Sequence, residues 1–186
     1  SPNEKLNIAL VGAGGRGAAN LAEIASENIV ALCDVDQRRA AESYNRYPDA
    51  RKYVDFRRML DDLDQQIDAV VISAPNHIHA PASAMAMKMG KHCYCEKPLT
   101  HSVYEARTIA GIAAEQRVAT QMGTQIHASN NYRRVVELIQ AGAIGPVHEV
   151  HIRLPGGGTA DDRPQEMPPI PTELNWDLWL GPAPAR

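Results

Sequence analysis

Apolar positions in this chain fall into short continuous runs separated by stretches with helical spacing. Leu6 to Val11 reads as a buried strand, and after a glycine-rich turn Ala18, Leu21, Ala22 and Ala25 recur along one helix face. Ile29 to Cys33 predicts a second strand and Asp36 to Tyr44 a second helix. Arg51 to Val54 is a short third strand, followed by a short helix from Phe56 to Leu63. Ala69 to Ser73 is the clearest buried strand. Pro81 to Met89 predicts a helix that Gly90 can end in the left-handed conformation. His92 to Cys95 makes a fifth strand. Ser102-Val103-Tyr104-Glu105 has the form of a capping box opening a helix to about Glu115, and Val118 to Met122 closes the series. Strands alternating with helices over residues 1–123 predict an α/β domain, a doubly wound parallel (Rossmann) sheet.

The pattern then changes. Tyr132, Val135, Val136 and Ile139 mark a helix ending near Gly142. Val147 to Leu154 alternates, with His148, Val150, Ile152 and Leu154 on one face and Glu149, His151 and Arg153 on the other, which predicts a half-buried strand of the antiparallel type. From Pro155 onward the chain holds seven of its thirteen prolines and the Gly156-Gly157-Gly158 run, and nothing there is expected to pack as a core by itself. Residues 124–186 therefore read as the start of an α+β second domain that is incomplete within this chain. Its first helix and strand would leave apolar faces uncovered.

Composition narrows the class. The 186 residues suit one full domain and the beginning of another, and 44% hydrophobic residues exclude wholesale disorder. With 19 basic and 22 acidic side chains there is no excess of positive charge for nucleic acid or an anionic membrane, and 5% aromatics disfavour a base-stacking platform. The apolar stretches, Ala69 to Ile72 among them, are all too short to span a bilayer. The opening residues lack the basic-then-apolar pattern of a signal segment. A cytoplasmic protein is expected, with an exported one as the alternative if a segment was removed before Ser1. Cys33, Cys93 and Cys95 are an odd number in strand-like runs, and read as reduced core or near-site residues.

Three constellations carry chemistry. Gly12-Ala13-Gly14-Gly15-Arg16-Gly17 is a G-x-G-x-x-G between a strand and a helix. Gly12 permits the tight turn, Gly14 the approach of a pyrophosphate, Gly17 close helix–strand packing, and the helix N-terminus offers N–H groups to phosphates. Asp34 follows the second strand, where an acidic residue hydrogen-bonds ribose hydroxyls and repels a 2′-phosphate. NAD is therefore preferred, with Arg38 and Arg39 keeping NADP as the minority reading. Ala74-Pro75-Asn76-His77-Ile78-His79 and Cys95-Glu96-Lys97-Pro98 lie at the carboxyl ends of strands four and five, where ligands bind in an open parallel sheet. Lys97 there can donate a proton or hold a substrate oxygen, with Glu96 setting its charge state; the bland alternative is a solvated surface lysine. Zinc bound by His77, His79, Cys93 and Cys95 is the minority reading, since the histidines lack a metal-ligand spacing, and no metal is expected.

Taken together, the glycine motif, the Pro-Asn-x-x-His run and above all Glu96-Lys97-Pro98 resemble the glucose–fructose oxidoreductase, inositol dehydrogenase and MocA (Gfo/Idh/MocA) family. The resemblance continues through Ala141-Gly142-Ala143-Ile144-Gly145-Pro146-Val147 and the segment Trp176 to Ala183. It implies that Gly12, Gly14, Gly15, Arg16 and Gly17 hold the pyrophosphate and Asp34 the adenosine ribose. Pro75, Asn76 and His79 would line the nicotinamide half with Gln125, Glu96 would bind its ribose, and Lys97 would be catalytic. The Lys97–Pro98 bond is a candidate cis peptide. Members of that family are roughly twice this length, and the acid–base histidine of their second domain has no match in His127, His148 or His151. The resemblance implies a nicotinamide-dependent oxidoreductase acting on a sugar, cyclitol or related polyol, homo-oligomeric in its full-length form. Two alternatives stand beside it: a redox-neutral glycosidase that borrows NAD, and a non-catalytic NAD-binding module, against which an intact Glu96-Lys97-Pro98 counts.

Overall fold

The computed structural model of the chain describes residues 4–153, 166 and 168–184. Six parallel strands form one sheet in the order β3-β2-β1-β4-β5-β6. They are β1 (Asn7–Val11), β2 (Asn28–Cys33), β3 (Arg51–Tyr53), β4 (Ala69–Ile72), β5 (His92–Glu96) and β6 (Thr120–Gly123). This order is that of the doubly wound dinucleotide fold, with its reversal between β1 and β4. Strand alternation sends Ile8, Leu10, Leu32 and Val71 to one face, where Leu21 of α1 (Arg16–Glu23) and Ala40 of α2 (Gln37–Arg46) cover them. Ala9, Val11, Ala31, Val70 and Ile72 face the other way, beneath α3 (Phe56–Asp62), α4 (Asn76–Lys88) and α5 (Val103–Gln116). Because both faces are buried, these strands read as unbroken apolar runs rather than as alternating ones.

Local signals end the helices where expected. The Ser102 hydroxyl accepts the Glu105 N–H while the Glu105 carboxylate accepts the Ser102 N–H, so both halves of the capping box are formed at α5. Gly90, after α4, has φ +76°. Most boundaries fall within about two residues of the expectation, but α4 begins at Asn76 rather than Pro81. Pro81, in the second turn, removes the bond to the His77 carbonyl and crowds that carbonyl with its ring, yet the helix continues through it. The first turn is then free to form on Pro75 as its cap.

The chain separates into two compact units, one of residues 1–123 with 170–186 and one of residues 124–169. The second contains a short 3₁₀ turn, Gln125–Ala128, and α6 (Asn130–Gln140), capped by the Ser129 hydroxyl and followed by Gly142 at φ +76°. None of the residues of α6 is buried, and Tyr132, Val135, Val136 and Ile139 are 36–45% exposed. The expected strand over 147–154 is not formed: residues 147–153 pair with no strand, and Leu154 lies outside the described residues. A strand needs a ladder partner, and none of the described residues supplies one. His151 is exposed and meets Glu149 at 3.0 Å.

The expected division at residue 123 also changes, because residues 170–184 return to the first unit. Leu174 makes an antiparallel bridge with Asp36, and α7 (Trp176–Leu180) packs beside α4. The glycine run at 156–158 lies outside the described residues. Among the described residues no helix is long and apolar enough to cross a membrane.

Cys33, Cys93 and Cys95 are free and buried. Burial holds the Cys33 and Cys93 thiols above their ordinary range and pushes Cys95 up to about 12. All three should resist a thiol-directed disulfide reagent at pH 8 in the native protein and react on unfolding. The stability they contribute is whole below the ordinary thiol value of 9.0 and declines as pH rises from there toward the folded values. Thermal midpoints should therefore fall above pH 9. Rapid labelling of any thiol in the folded protein would contradict this.

Candidate cofactor site

The carboxyl ends of β1, β2 and β4 open onto a cavity of about 840 Å³, within the ~300–1,000 Å³ of small-molecule clefts. Gly12, Gly14, Arg16, Asp34 and Pro75 all line it. The loop's shape depends on its glycines. Gly12 has φ +86°, and a Cβ on it would stand 2.7 Å from the Ala74 nitrogen. A Cβ on Gly17 would stand 1.8 Å from the Gly12 carbonyl oxygen, so only glycine lets α1 start this close to β1. A Cβ on Gly14 would stand 2.7 Å from the Arg39 carbonyl oxygen, and one on Gly15 would stand 3.2 Å from the Arg39 guanidinium. Gly15 is the N-cap and Arg16 the first residue of α1, so their N–H groups have no partner within the helix. They sit at the positive end of the α1 dipole, which suits an anion.

Asp34, just past β2, is fixed by two backbone donors. The Gly14 N–H donates to Oδ2 at 3.0 Å and the Asp36 N–H to Oδ1 at 2.9 Å. The carboxylate thus faces the loop that carries the glycines. Its charge, together with burial, raises the titration of the neighbouring Tyr44 hydroxyl, burial being the larger cause. The far rim is Asp55 and Arg57 at the start of α3. The Arg57 side chain holds the Asp55 carboxyl below its usual range.

The remaining expected residues lie outside this cavity. Asn76 is exposed at the first position of α4. His79 is 1% exposed, its Nδ1 2.6 Å from the Pro98 carbonyl and its Nε2 2.7 Å from the Ala74 carbonyl. It ties the loop after β4 to the turn after β5, where the Lys97–Pro98 peptide is cis. Glu96 is 5% exposed at the end of β5, and Lys97 beyond it is exposed. Gln125 belongs to the second unit. Among the described residues no three His, Cys, Asp or Glu side chains gather as metal ligands do.

Sequence reasoning missed Asn20. It is buried, and its amide donates to the Ser73 hydroxyl at 2.9 Å and to Glu96 Oε1 at 2.9 Å, joining α1 to the ends of β4 and β5. Tyr94 donates to the same oxygen at 3.4 Å. The available signal was a lone amide at the close of the glycine motif, three residues after Gly17. Also missed was the return of Leu174, Trp176, Asp177, Leu178 and Trp179 to line the cavity, which no local pattern announces.

A glycine loop opening a helix, an acidic residue after β2 and a cleft at the switch point of a 3-2-1-4-5-6 sheet define a dinucleotide-binding Rossmann domain. The pattern of the oxidoreductase family GFO_IDH_MocA, NAD-binding Rossmann fold, matches residues 6–124, and the chain belongs to that family. It is 30% identical over 156 residues to an inositol 2-dehydrogenase of Salmonella typhimurium, covering 80% of this chain and 45% of that protein. It is 26% identical over 155 residues to a levoglucosan dehydrogenase of Pseudarthrobacter phenanthrenivorans, covering 77% and 39%. Among solved structures, scyllo-inositol dehydrogenase from Lactobacillus casei with NAD(H) and scyllo-inositol superposes with a TM-score of 0.67 at 25% identity, over 76% of this chain and 43% of that one. The chain thus spans less than half the length of these relatives.

Asn20→Ala removes a buried donor from Glu96 and Ser73 and should cost ~1–3 kcal/mol in urea unfolding. Asn20→Asp sets a second carboxylate against Glu96, so its penalty should be larger at pH 7 than at pH 5, where protonation relieves the repulsion. Equal stability of the Asn20→Ala protein and the parent would remove the node from the structural account.

Proposed function

We propose that this chain carries the cofactor-binding domain of an NAD-dependent oxidoreductase that moves a hydride to or from a carbinol carbon of a cyclitol, sugar or related polyol. The observation that carries the reading is the Asp34 carboxylate, held by Gly14 and Asp36 at the rim of the cleft that the glycine loop opens. The fit is chemical as well as spatial. Gly12 and Gly17 let the loop and the start of α1 pack close against Ala74 and β1, and Gly14, without a side chain, lets backbone approach a pyrophosphate. The Gly15 and Arg16 N–H groups and the Arg39 guanidinium supply positive potential beside them. Asp34 accepts from the hydroxyls of the adenosine ribose and repels a 2′-phosphate, which favours NAD over NADP.

When bound, the nicotinamide supplies the hydride acceptor or donor. Lys97, exposed where β5 ends, is the group we assign to the substrate oxygen, by donating a hydrogen bond or a proton. Glu96, with one oxygen held by Asn20, is the candidate for the nicotinamide-side ribose. Pro75, Asn76 and Gln125 complete that half, while His79 acts by holding the two loops together. Buried unpaired thiols suit a reducing cytoplasm, and a homo-oligomer is part of the same reading.

Calorimetric titration tests the cofactor. The chain should bind NAD+ more tightly than NADP+, and Asp34→Ala should weaken NAD+ by ~1–2 kcal/mol and narrow the preference. Tighter binding of NADP+ by the parent chain would sink the assignment.

Lys97 is tested in the natural full-length protein by NADH production from a panel of cyclitols and sugars. Lys97→Met should lower turnover by ~10²-fold or more while NAD+ affinity survives. Undiminished turnover would return Lys97 to the solvated surface.

A further inference from the structure

The segment from Glu173 to Pro182 has no part in the glycine-loop chemistry, yet it closes one side of the same cavity. It is held at both ends. On the β2 side, the Asn175 N–H donates to the Val35 carbonyl at 2.8 Å, the Gln37 N–H donates to the Glu173 carbonyl at 3.2 Å, and Leu174 bridges Asp36. On the α4 side, the Trp179 carbonyl lies 2.7 Å from His77 Nε2, and the two rings meet edge to face at 5.8 Å. Gly181 fits the segment to α4: it has φ +54°, and a Cβ there would stand 2.5 Å from Ile78 Cδ1.

Between these attachments Asn175 caps α7, accepting the Leu178 N–H at 3.0 Å. Trp176 and Trp179 stack at 4.9 Å with 11° between their planes, and both rings line the cavity. They remain 40% and 36% exposed, an unusual amount of open aromatic surface for residues so firmly attached. Val35 and Asp36, to which the segment is tied, directly follow the Asp34 carboxylate. The segment therefore spans the adenosine end of the cleft.

We propose that residues 173–182 are a cofactor-binding strap whose tryptophan pair receives the adenine ring of the dinucleotide. The inference rests on the NAD-binding reading above and extends it to ten residues that lie outside the glycine-loop machinery. A purine offers a flat, uncharged π face, which an aromatic surface holds with little dependence on hydrogen bonding.

The chain contains two tryptophans, and both are on the strap, so emission excited selectively at tryptophan reports on this segment alone. Titration of the unaltered chain with ADP should change the tryptophan emission with the same affinity that calorimetry gives. Nicotinamide mononucleotide should leave the emission unchanged. Trp176→Ala/Trp179→Ala should weaken NAD+ and ADP alike by about tenfold or more, with less than twofold effect on nicotinamide mononucleotide, and the double phenylalanine variant should recover most of the loss. Gly181→Val, which keeps both rings but drives the strap off Ile78, should weaken ADP similarly; far-ultraviolet dichroism and melting check that each variant is folded. If ADP binds with no change in emission, or the folded double alanine variant keeps ADP within twofold, the strap proposal fails while the NAD-binding reading stands. If the parent chain binds neither NAD+ nor ADP, both fall.

Discussion

The domain is organised around a contact between two stretches of backbone. At the glycine loop, α1 begins so near the end of β1 that a methyl group on Gly17 would sit inside the Gly12 carbonyl oxygen. That closeness is available to glycine alone, and much follows from it. It directs the amino end of α1 at the cleft and brings Gly14 within reach of Asp34. It also seats Asn20, one turn along the same helix, against Ser73 and Glu96. A substitution at Gly17 would move the glycine loop, the carboxylate beside it and the polar node behind it together.

The polar groups under the site work in the same way. His79 and Asn20 are both buried and both join loops that are distant in sequence: the first links the ends of β4 and β5 through two carbonyls, the second links α1 to those same strands. Buried polar groups are tolerated where their hydrogen bonds are made, and each bond then restricts the loops to one arrangement. Residues that look like ligands by type can serve instead as the frame on which ligands are held. His79 illustrates this, since its ring nitrogens are already engaged by the Ala74 and Pro98 carbonyls.

The sheet was legible from the sequence because parallel strands covered on both faces are simple apolar runs, and because Ser102, Glu105 and Gly90 mark helix ends through bonds made within a few residues. The glycine loop and Asp34 were legible for a related reason: their geometry is set by glycines and by one strand end. What escaped was masked by a single proline or set by partners far along the chain. The start of α4 was hidden by Pro81, which propensity penalises more than this helix does. The alternation at 147–153 is a strand pattern without a ladder partner among the described residues. Asn20 gains its meaning from Glu96, seventy-six positions away. Residues 170–184 look like a proline-rich tail until Leu174 is seen beside Asp36.

The first unit is discontinuous in sequence, leaving at Gly123 and resuming at Ile170. That arrangement has a consequence during synthesis. All six strands emerge from the ribosome before the last piece of their own unit has been made. At ~5–20 residues per second, the roughly sixty residues from Gly123 to Pro182 take about 3–12 seconds to translate. For that interval the nascent sheet is complete while the cleft at its carboxyl edge lacks the wall formed by residues 174–182. A chaperone or a nucleotide arriving then meets a wider opening than the finished chain presents.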